Sequence, residues 1–409
     1  MKLAMTRIKF SLRLALAFVI LPLCLWLSSA ADALAQERVI KIAGFGATSG
    51  VLRQFGVNSE AAMRAAADQI NKTGGVRLGD GTRAKIVVGY FDDRCNVAEG
   101  ISVIRHIASE DWLAAVGPTC SSVAETLYGV LQKKADDASD SGLHLPIFTD
   151  VAMEIGLTKI SDWAFRNIPD EIGMYQSLFA WLKLNHPDAK SVYGGVEEDF
   201  VHSNQTWYKV MKERAKTDGY QIKGEAKWLV SDTNFTTQVR EMKQVGADVV
   251  AISAHPFTAC GVLKEMQRQG VKPKVLIGLT SISSPETMEV CGKQAEGLII
   301  PTSYAPINPQ AKAAAAATAR FKGYADLHSM AAWENMFTLK HVIESEGVLA
   351  NPDSVRADRD RIRIGLAKLK QTEGLLGTLQ RTREREAVKP FVFVEARGSS
   401  WQVMHSPVQ

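Results

Sequence analysis

Few residues in this chain have the type and spacing that chemistry requires. Gly44, Gly46 and Gly50 follow the first predicted strand and imitate a dinucleotide-binding glycine pattern. Asp92, at the end of a later strand, stands where such folds place the acid that holds a ribose. The loop from Gly44 to Gly56 is much longer than the tight turn that lays a pyrophosphate on a helix start, so a glycine-rich ligand loop explains the same residues and no cofactor is expected. The 8 histidines show no metal-ligand spacing, and no Gly-x-Ser-x-Gly elbow is present. No metal is therefore expected. Directly after Cys120, Ser121 and Ser122 open a helical run in which Ser122 and Glu125 have capping-box spacing. Free backbone N–H groups should point out of this end, where a small carboxylate is favoured.

The elements that must hold this loop can be read on either side of it. Residues 86–91 form a β-branched and aromatic run that stops at Asp92-Asp93-Arg94-Cys95. A helical pattern follows over 97–109, and a second apolar run over 113–116 stops at Gly117-Pro118. Strand, helix and strand make one parallel crossover. Both strands end on one edge of the sheet, each followed within a few residues by a cysteine, and a bridge between Cys95 and Cys120 is geometrically reasonable.

At these residues the sequence resembles a known family. Tyr90-Phe91-Asp92-Asp93-Arg94-Cys95 with Val116-Gly117-Pro118-Thr119-Cys120-Ser121-Ser122 is similar to the paired cysteine loops of the periplasmic leucine/isoleucine/valine-binding proteins, the type I solute receptors of bacterial ABC importers. Gly46-Ala47-Thr48-Ser49-Gly50 with Phe55-Gly56, then Ala66-Ala67-Asp68-Gln69-Ile70-Asn71, Ala295-Glu296-Gly297-Leu298 and Glu373-Gly374-Leu375-Leu376-Gly377-Thr378 extend the likeness in the family's order. The resemblance implies an α/β fold of two Rossmann-like lobes joined by a three-stranded hinge. It also implies a small-molecule ligand between the lobes and an inner-membrane ABC permease as partner. A periplasmic sensor that passes its signal to a regulatory partner is the alternative.

Residues 1–35 read as a secretory signal. Lys2, Arg7, Lys9 and Arg13 precede an apolar core, and Ala33-Leu34-Ala35 is a small-x-small cleavage site before Gln36. Lipid attachment at Cys24 is disfavoured by Leu23. The core is too short for a comfortable membrane span, so a periplasmic protein without membrane insertion is expected. Removing four basic residues and Asp32 takes the formal net charge from +4 to about +1, which implies no nucleic-acid partner. The remaining chain is too long for one average domain. In an oxidising compartment Cys95–Cys120 should be bridged; Cys260 and Cys291 fit equally a second bridge or two small core residues.

From residue 39 onward, strands and helices alternate in two series. The first lobe is expected over 36–167 plus 302–377 and the second over 168–301 plus 378–409, with a hinge crossing near 374–378. The basic clusters 356–363 and 381–385 are interleaved with acids and read as solvated faces. Mapped through the resemblance, Phe55 and Phe200 form an aromatic wall over the ligand, and Ser121 and Thr149 form the carboxylate-binding loop. Where amino-acid binders of the family offer a threonine hydroxyl in the first lobe, this chain has Val151. Where they offer a tyrosine and a glutamate in the second, it has His255 and Thr280. A buried ammonium without an acidic partner is costly. Asp150 is either that partner or a surface turn residue. The ligand class stays open between amino acids and small acids or amides.

Overall fold

The computed structural model describes residues 38–169 and 171–406; the expected leader, its cleavage after Ala35, and Cys24 lie outside them. The first sheet has six strands in the order β2-β3-β1-β4-β5-β6, formed by β1 (Arg38–Gly46), β2 (Val76–Arg77), β3 (Arg83–Asp92), β4 (Ala114–Val116), β5 (Ile147–Thr149) and β6 (Ala164–Arg166). β1, β4, β5 and β6 run parallel. Their side chains alternate between two apolar layers. Ile42, Ala114, Val116, Phe148 and Phe165 pack on one side, beneath α1 (Arg53–Lys72). Ala43, Phe45, Ala115, Ile147 and Ala164 pack on the other, beneath α2 (Val97–Ser109) and α3 (Ser121–Tyr128).

The second sheet has seven strands in the order β16-β15-β11-β10-β9-β7-β8. β7 (Ser191–Glu197), β8 (Gln221–Trp228), β9 (Val249–Ser253), β10 (Val275–Gly278) and β11 (Leu298–Thr302) are parallel. The antiparallel pair β15 (Val392–Arg397) and β16 (Ser400–His405) adds on to β11. This sheet carries its own apolar core, packed by α4 (Ile172–Asn185), a helical run α5 over 201–217, α6 (Thr236–Val245), α7 (Pro256–Gln269) and α8 (Pro285–Cys291). α5 contains a π-helical stretch, Thr206–Met211, from which Trp207 enters the core. After β11 the chain supplies α9 (Pro309–Ala319), α10 (Leu327–Ser345) and α11 (Val355–Lys368), which cover the first sheet. Among the described residues no helix is long and apolar enough to cross a membrane.

Three expectations need correction. The segment near 374–378 is the turn of a hairpin, not a crossing. β12 (Gln371–Gly374), β13 (Gly377–Arg381) and β14 (Ala387–Val388) form a small antiparallel sheet held against the first sheet. Arg381 donates to the carbonyl of Arg166, and Arg385 donates to those of Ala164 and Ser161. The last passage to the second sheet lies between Val388 and Val392. The charged cluster 356–363 is not a solvated face throughout. Arg359 is buried and donates to the carbonyls of Ala108, Glu110 and Trp112, capping the end of α2 where the helix dipole favours a cation. Asp358 is fully buried and accepts from the N–H groups of Leu349 and Ala350. Finally, α3 starts two residues early, with Cys120 as its cap and no side-chain capping bond, so the Ser122–Glu125 box does not form.

Both cysteine pairs are bonded, Cys95 to Cys120 across the loops after β3 and β4, and Cys260 to Cys291 between α7 and α8. Non-reducing peptide mapping of exported protein should recover both bridges. Replacing Cys95 and Cys120 by alanine should lower stability by about 3 kcal/mol in the chain-entropy picture for a loop of this length. Free thiols at Cys260 and Cys291 would contradict the α7–α8 contact.

Candidate functional site

The carboxyl ends of the two sheets face one another, and the loops leaving them meet around a narrow pocket lined by Leu52, Phe55, Thr119, Ser121, Val151, Met153, Phe200, His202, His255, Ser281 and His328. From the first sheet come the start of α1 after β1, the β4–α3 loop and the segment after β5. From the second come residues that follow β7, β9 and β10. This is the position at which open α/β sheets hold ligands. A wider opening of about 160 Å³ shares the Leu52, Phe55 and His255 wall and is edged by Val51, Val230, Phe257 and Val290.

The first half supplies hydroxyls. Thr119 Oγ1 accepts from the Ala47 N–H at 3.0 Å, and Ser121 Oγ accepts from the Glu154 N–H at 3.3 Å. Each hydroxyl proton is left for an acceptor in the pocket. The β1 end can lie this close to Thr119 only because Gly46 has no side chain, since a Cβ there would sit 2.2 Å from Thr119 Oγ1. Asp92 accepts from the N–H groups of Thr48 and Arg94, so its work is to fold the glycine loop and not to hold a sugar.

The second half supplies histidines backed by carboxylates. His255 Nδ1 lies 2.5 Å from Glu197 Oε1, while Thr258 donates to the other oxygen. His202 Nε2 lies 3.1 Å from Glu171 Oε2, and Glu171 also accepts from Thr206 and Thr280. Helical spacing puts His202 and Thr206 over the same carboxylate. Burial alone would raise both glutamates. For Glu171 the charge and bond of His202 outweigh it, and for Glu197 those of His255 do, so both stay below the usual carboxylate range. Phe200 stacks edge-on against His255 with ring centroids 4.0 Å apart, and Phe55 approaches the same ring from the first half at 6.0 Å. His328, in the first turn of α10, packs edge-on to Phe55. It is buried with neither ring nitrogen hydrogen-bonded, and burial pushes it down to about 3, keeping it neutral. Ser281 Oγ is likewise buried without a partner.

Of the residues singled out from the sequence, Phe55, Ser121, Val151, Phe200 and His255 line this pocket together. Thr149 and Thr280 do not. The Thr149 hydroxyl donates to the Gly117 carbonyl and bonds Tyr128, and Thr280 is spent on Glu171. Asp150 is not a surface turn residue. It is 1% exposed and accepts from Ser59 at 2.5 Å, and burial pushes it up to about 7. Sequence reasoning missed His202, His328, Ser281, Glu171 and Glu197. Glu197 had a usable signal, since an acid closing the apolar run of β7 needs a partner.

The sequence pattern of the periplasmic binding protein family matches residues 39–400. The Leu/Ile/Val-binding protein of Escherichia coli K12 is 24% identical over 290 residues, which is 68% of this chain and 70% of that one. The Leu/Ile/Val/Thr-binding protein of Salmonella typhimurium is 23% identical over 288 residues, covering 68% and 71%. Among solved structures, the branched-chain amino acid substrate-binding protein LivJ of Streptococcus pneumoniae with isoleucine superposes with a TM-score of 0.74 at 18% identity, covering 90% of this chain and 100% of that one. An ABC-transporter solute-binding protein of R. palustris with benzoate gives 0.75 at 15% identity, covering 90% and 96%. By the extent of the family match and the agreement of both sheets with these folds, the chain belongs to the periplasmic binding protein family, with the type I fold of the leucine/isoleucine/valine-binding proteins.

Proposed function

We propose that the chain is the exported receptor of an ABC importer. Residues 1–35 direct it to the periplasm and are removed after Ala35. The halves built on the two sheets, the first including the 371–388 hairpin, close over a small carboxylate-bearing molecule, and the closed form is presented to an inner-membrane permease. No bond is made or broken, so no catalytic group is required. Hinge motion at the chain crossings near 167–171, 302–305 and 388–392 would signal occupancy.

The observation that carries this reading is the pocket between the sheet edges, where hydroxyls of Thr119, Ser121 and Ser281 and the ring of His328 are buried with bonding capacity left over. Buried polar groups without partners are rare unless something else satisfies them. The isoleucine and benzoate of the two complexes above share a carboxylate, which fits hydroxyl donors beside the start of α3.

A thermal-shift panel of small acids and amino acids tests the reading, since a ligand at about 100 times its dissociation constant adds roughly 2.7 kcal/mol of stability. Ser121→Ala should weaken binding of the best ligand by about 1–3 kcal/mol without unfolding the free protein, which loses the bond from the Glu154 N–H. Unchanged affinity in this variant would remove Ser121 from the carboxylate site.

A further inference from the structure

The inner pocket between the sheet edges has room of about 10 Å³, the space of a single water. A carboxylate head can reach Ser121 there, but the body of a ligand must lie elsewhere. The outer opening adjoins it across Leu52, Phe55 and His255 and has about 160 Å³, room for roughly ten waters by the same measure. Phe55 and His255 meet edge to face in this partition, with ring centroids 6.0 Å apart, so side-chain rings divide the two spaces.

The outer opening is apolar at its rim. Val51 from the first half and Phe257 and Val290 from the second are 65%, 54% and 62% exposed. Single exposed apolar residues are ordinary, but three that converge on one opening from both halves mark a contact surface. The floor is polar and incomplete. Thr287 Oγ1 and Asp326 Oδ2 are buried there without a hydrogen bond, while Asp326 Oδ1 accepts from the N–H groups of His328 and Ser329 at the start of α10. Glu197 and Asn58, also in the lining, are already engaged, the first by His255 and Thr258 and the second by Gln54 and the Tyr324 N–H. A hydroxyl both donates and accepts. It therefore completes Thr287 and Asp326 whether or not the carboxyl carries a proton.

We infer that the receptor takes an elongated hydroxy acid, with its carboxylate at Ser121, its chain passing Phe55 to lie among Val51, Phe257 and Val290, and its far hydroxyl at Thr287 and Asp326. This rests on the carboxylate reading of Ser121 above and adds the rest of the ligand. A compact amino acid would leave the outer opening and its two polar atoms unused.

Calorimetric titration of the full mature protein with butanoate, octanoate, 8-hydroxyoctanoate and leucine tests it. Each methylene buried in the outer opening should gain about fourfold in affinity, so octanoate should bind at least about fiftyfold more tightly than butanoate. The hydroxy acid should bind at least as tightly as octanoate, whereas a hydroxyl entering a site with no partner for it loses affinity. Phe257→Ser and Val290→Ser, both at exposed positions, should each weaken octanoate about fivefold and leave butanoate within about twofold. Thr287→Val, which keeps the shape and breaks no protein hydrogen bond, should cost the hydroxy acid about tenfold and leave octanoate unchanged. Octanoate binding no better than butanoate, or leucine binding more tightly than either long acid, would overturn the inference and leave the receptor reading standing. Equal losses for octanoate and the hydroxy acid in Thr287→Val would also overturn it. Binding by none of the four compounds would overturn it together with the carboxylate reading beneath it.

Discussion

Lys389→Met is expected to destabilise the folded protein by about 3–5 kcal/mol, the effect of stranding one partner of a buried ion pair. Lys389 is 7% exposed and Glu334 5% exposed, and the ammonium is bonded directly to the carboxylate. Glu334 is also held by the Leu375 N–H at 2.7 Å and the Asn167 side-chain amide at 3.2 Å, while Arg381 donates to Asn167 Oδ1 at 2.9 Å. Methionine fills the space of the lysine stem but leaves the carboxylate with two neutral donors and no cation in contact. The double variant Glu334→Gln with Lys389→Met should recover more than half of the loss, because glutamine still accepts from Leu375 and nothing charged stays behind. Urea denaturation of the three proteins measures this. A single-variant loss below about 1 kcal/mol would mean that water reaches the pair. The pair joins α10 to the point where the chain leaves the first sheet for β15, so Lys389→Met should also loosen this crossing.

The sheet strands were legible because each is a short apolar run that ends in a turn signal, as in Ile147–Thr149 and Val249–Ser253. Strands β12 to β14 were not, because Gln371–Gly374 and Gly377–Arg381 are polar and half exposed and their pairing is fixed by arginines that reach back more than two hundred residues to 158–167. The same long reach hid the role of Arg359. A guanidinium among acids looks solvated until the unpaired carbonyls at the end of α2 come near it. In the pocket, Phe55, Ser121, Phe200 and His255 could be placed through motif order, which is local. The histidine wall could not. His202 meets Glu171 at a separation of 31 residues and His255 meets Glu197 at 58, and nothing in either local sequence marks the pairing. The expectation that the second half lacks an acid beside the ligand was thus incomplete. Two acids are present, each already committed to an imidazole.

Asp150→Asn should leave stability nearly unchanged at pH 4 and raise it at pH 8, by up to about 4 kcal/mol. Asp150 is fully enclosed, one oxygen bonded to Ser59 and the other without a partner. Desolvation is the main cause that pushes it up to about 7, against the opposing bond from Ser59. A folded value above the ordinary 3.8 means that the folded protein holds this proton more tightly than the unfolded chain does. The stabilisation is fully present below pH 3.8 and is lost as pH rises through about 7. Asparagine resembles the protonated acid in shape and cannot ionise, so the variant gains where the parent loses. His328 works in the other direction. Burial holds it at about 3, below the ordinary 6.5, so its contribution is present above pH 6.5 and is lost as pH falls toward 3. Between about pH 4 and 6.5 the two slopes oppose each other in the parent protein, and removing Asp150 leaves the histidine slope exposed. Thermal denaturation of parent and Asp150→Asn at pH 4, 5, 6.5 and 8 should therefore give curves that coincide at the acid end and separate steadily to pH 8. Curves that stay parallel across this range would show that Asp150 ionises at its ordinary value, and that the segment after β5 opens to water more readily than its enclosure beside Ser59 implies.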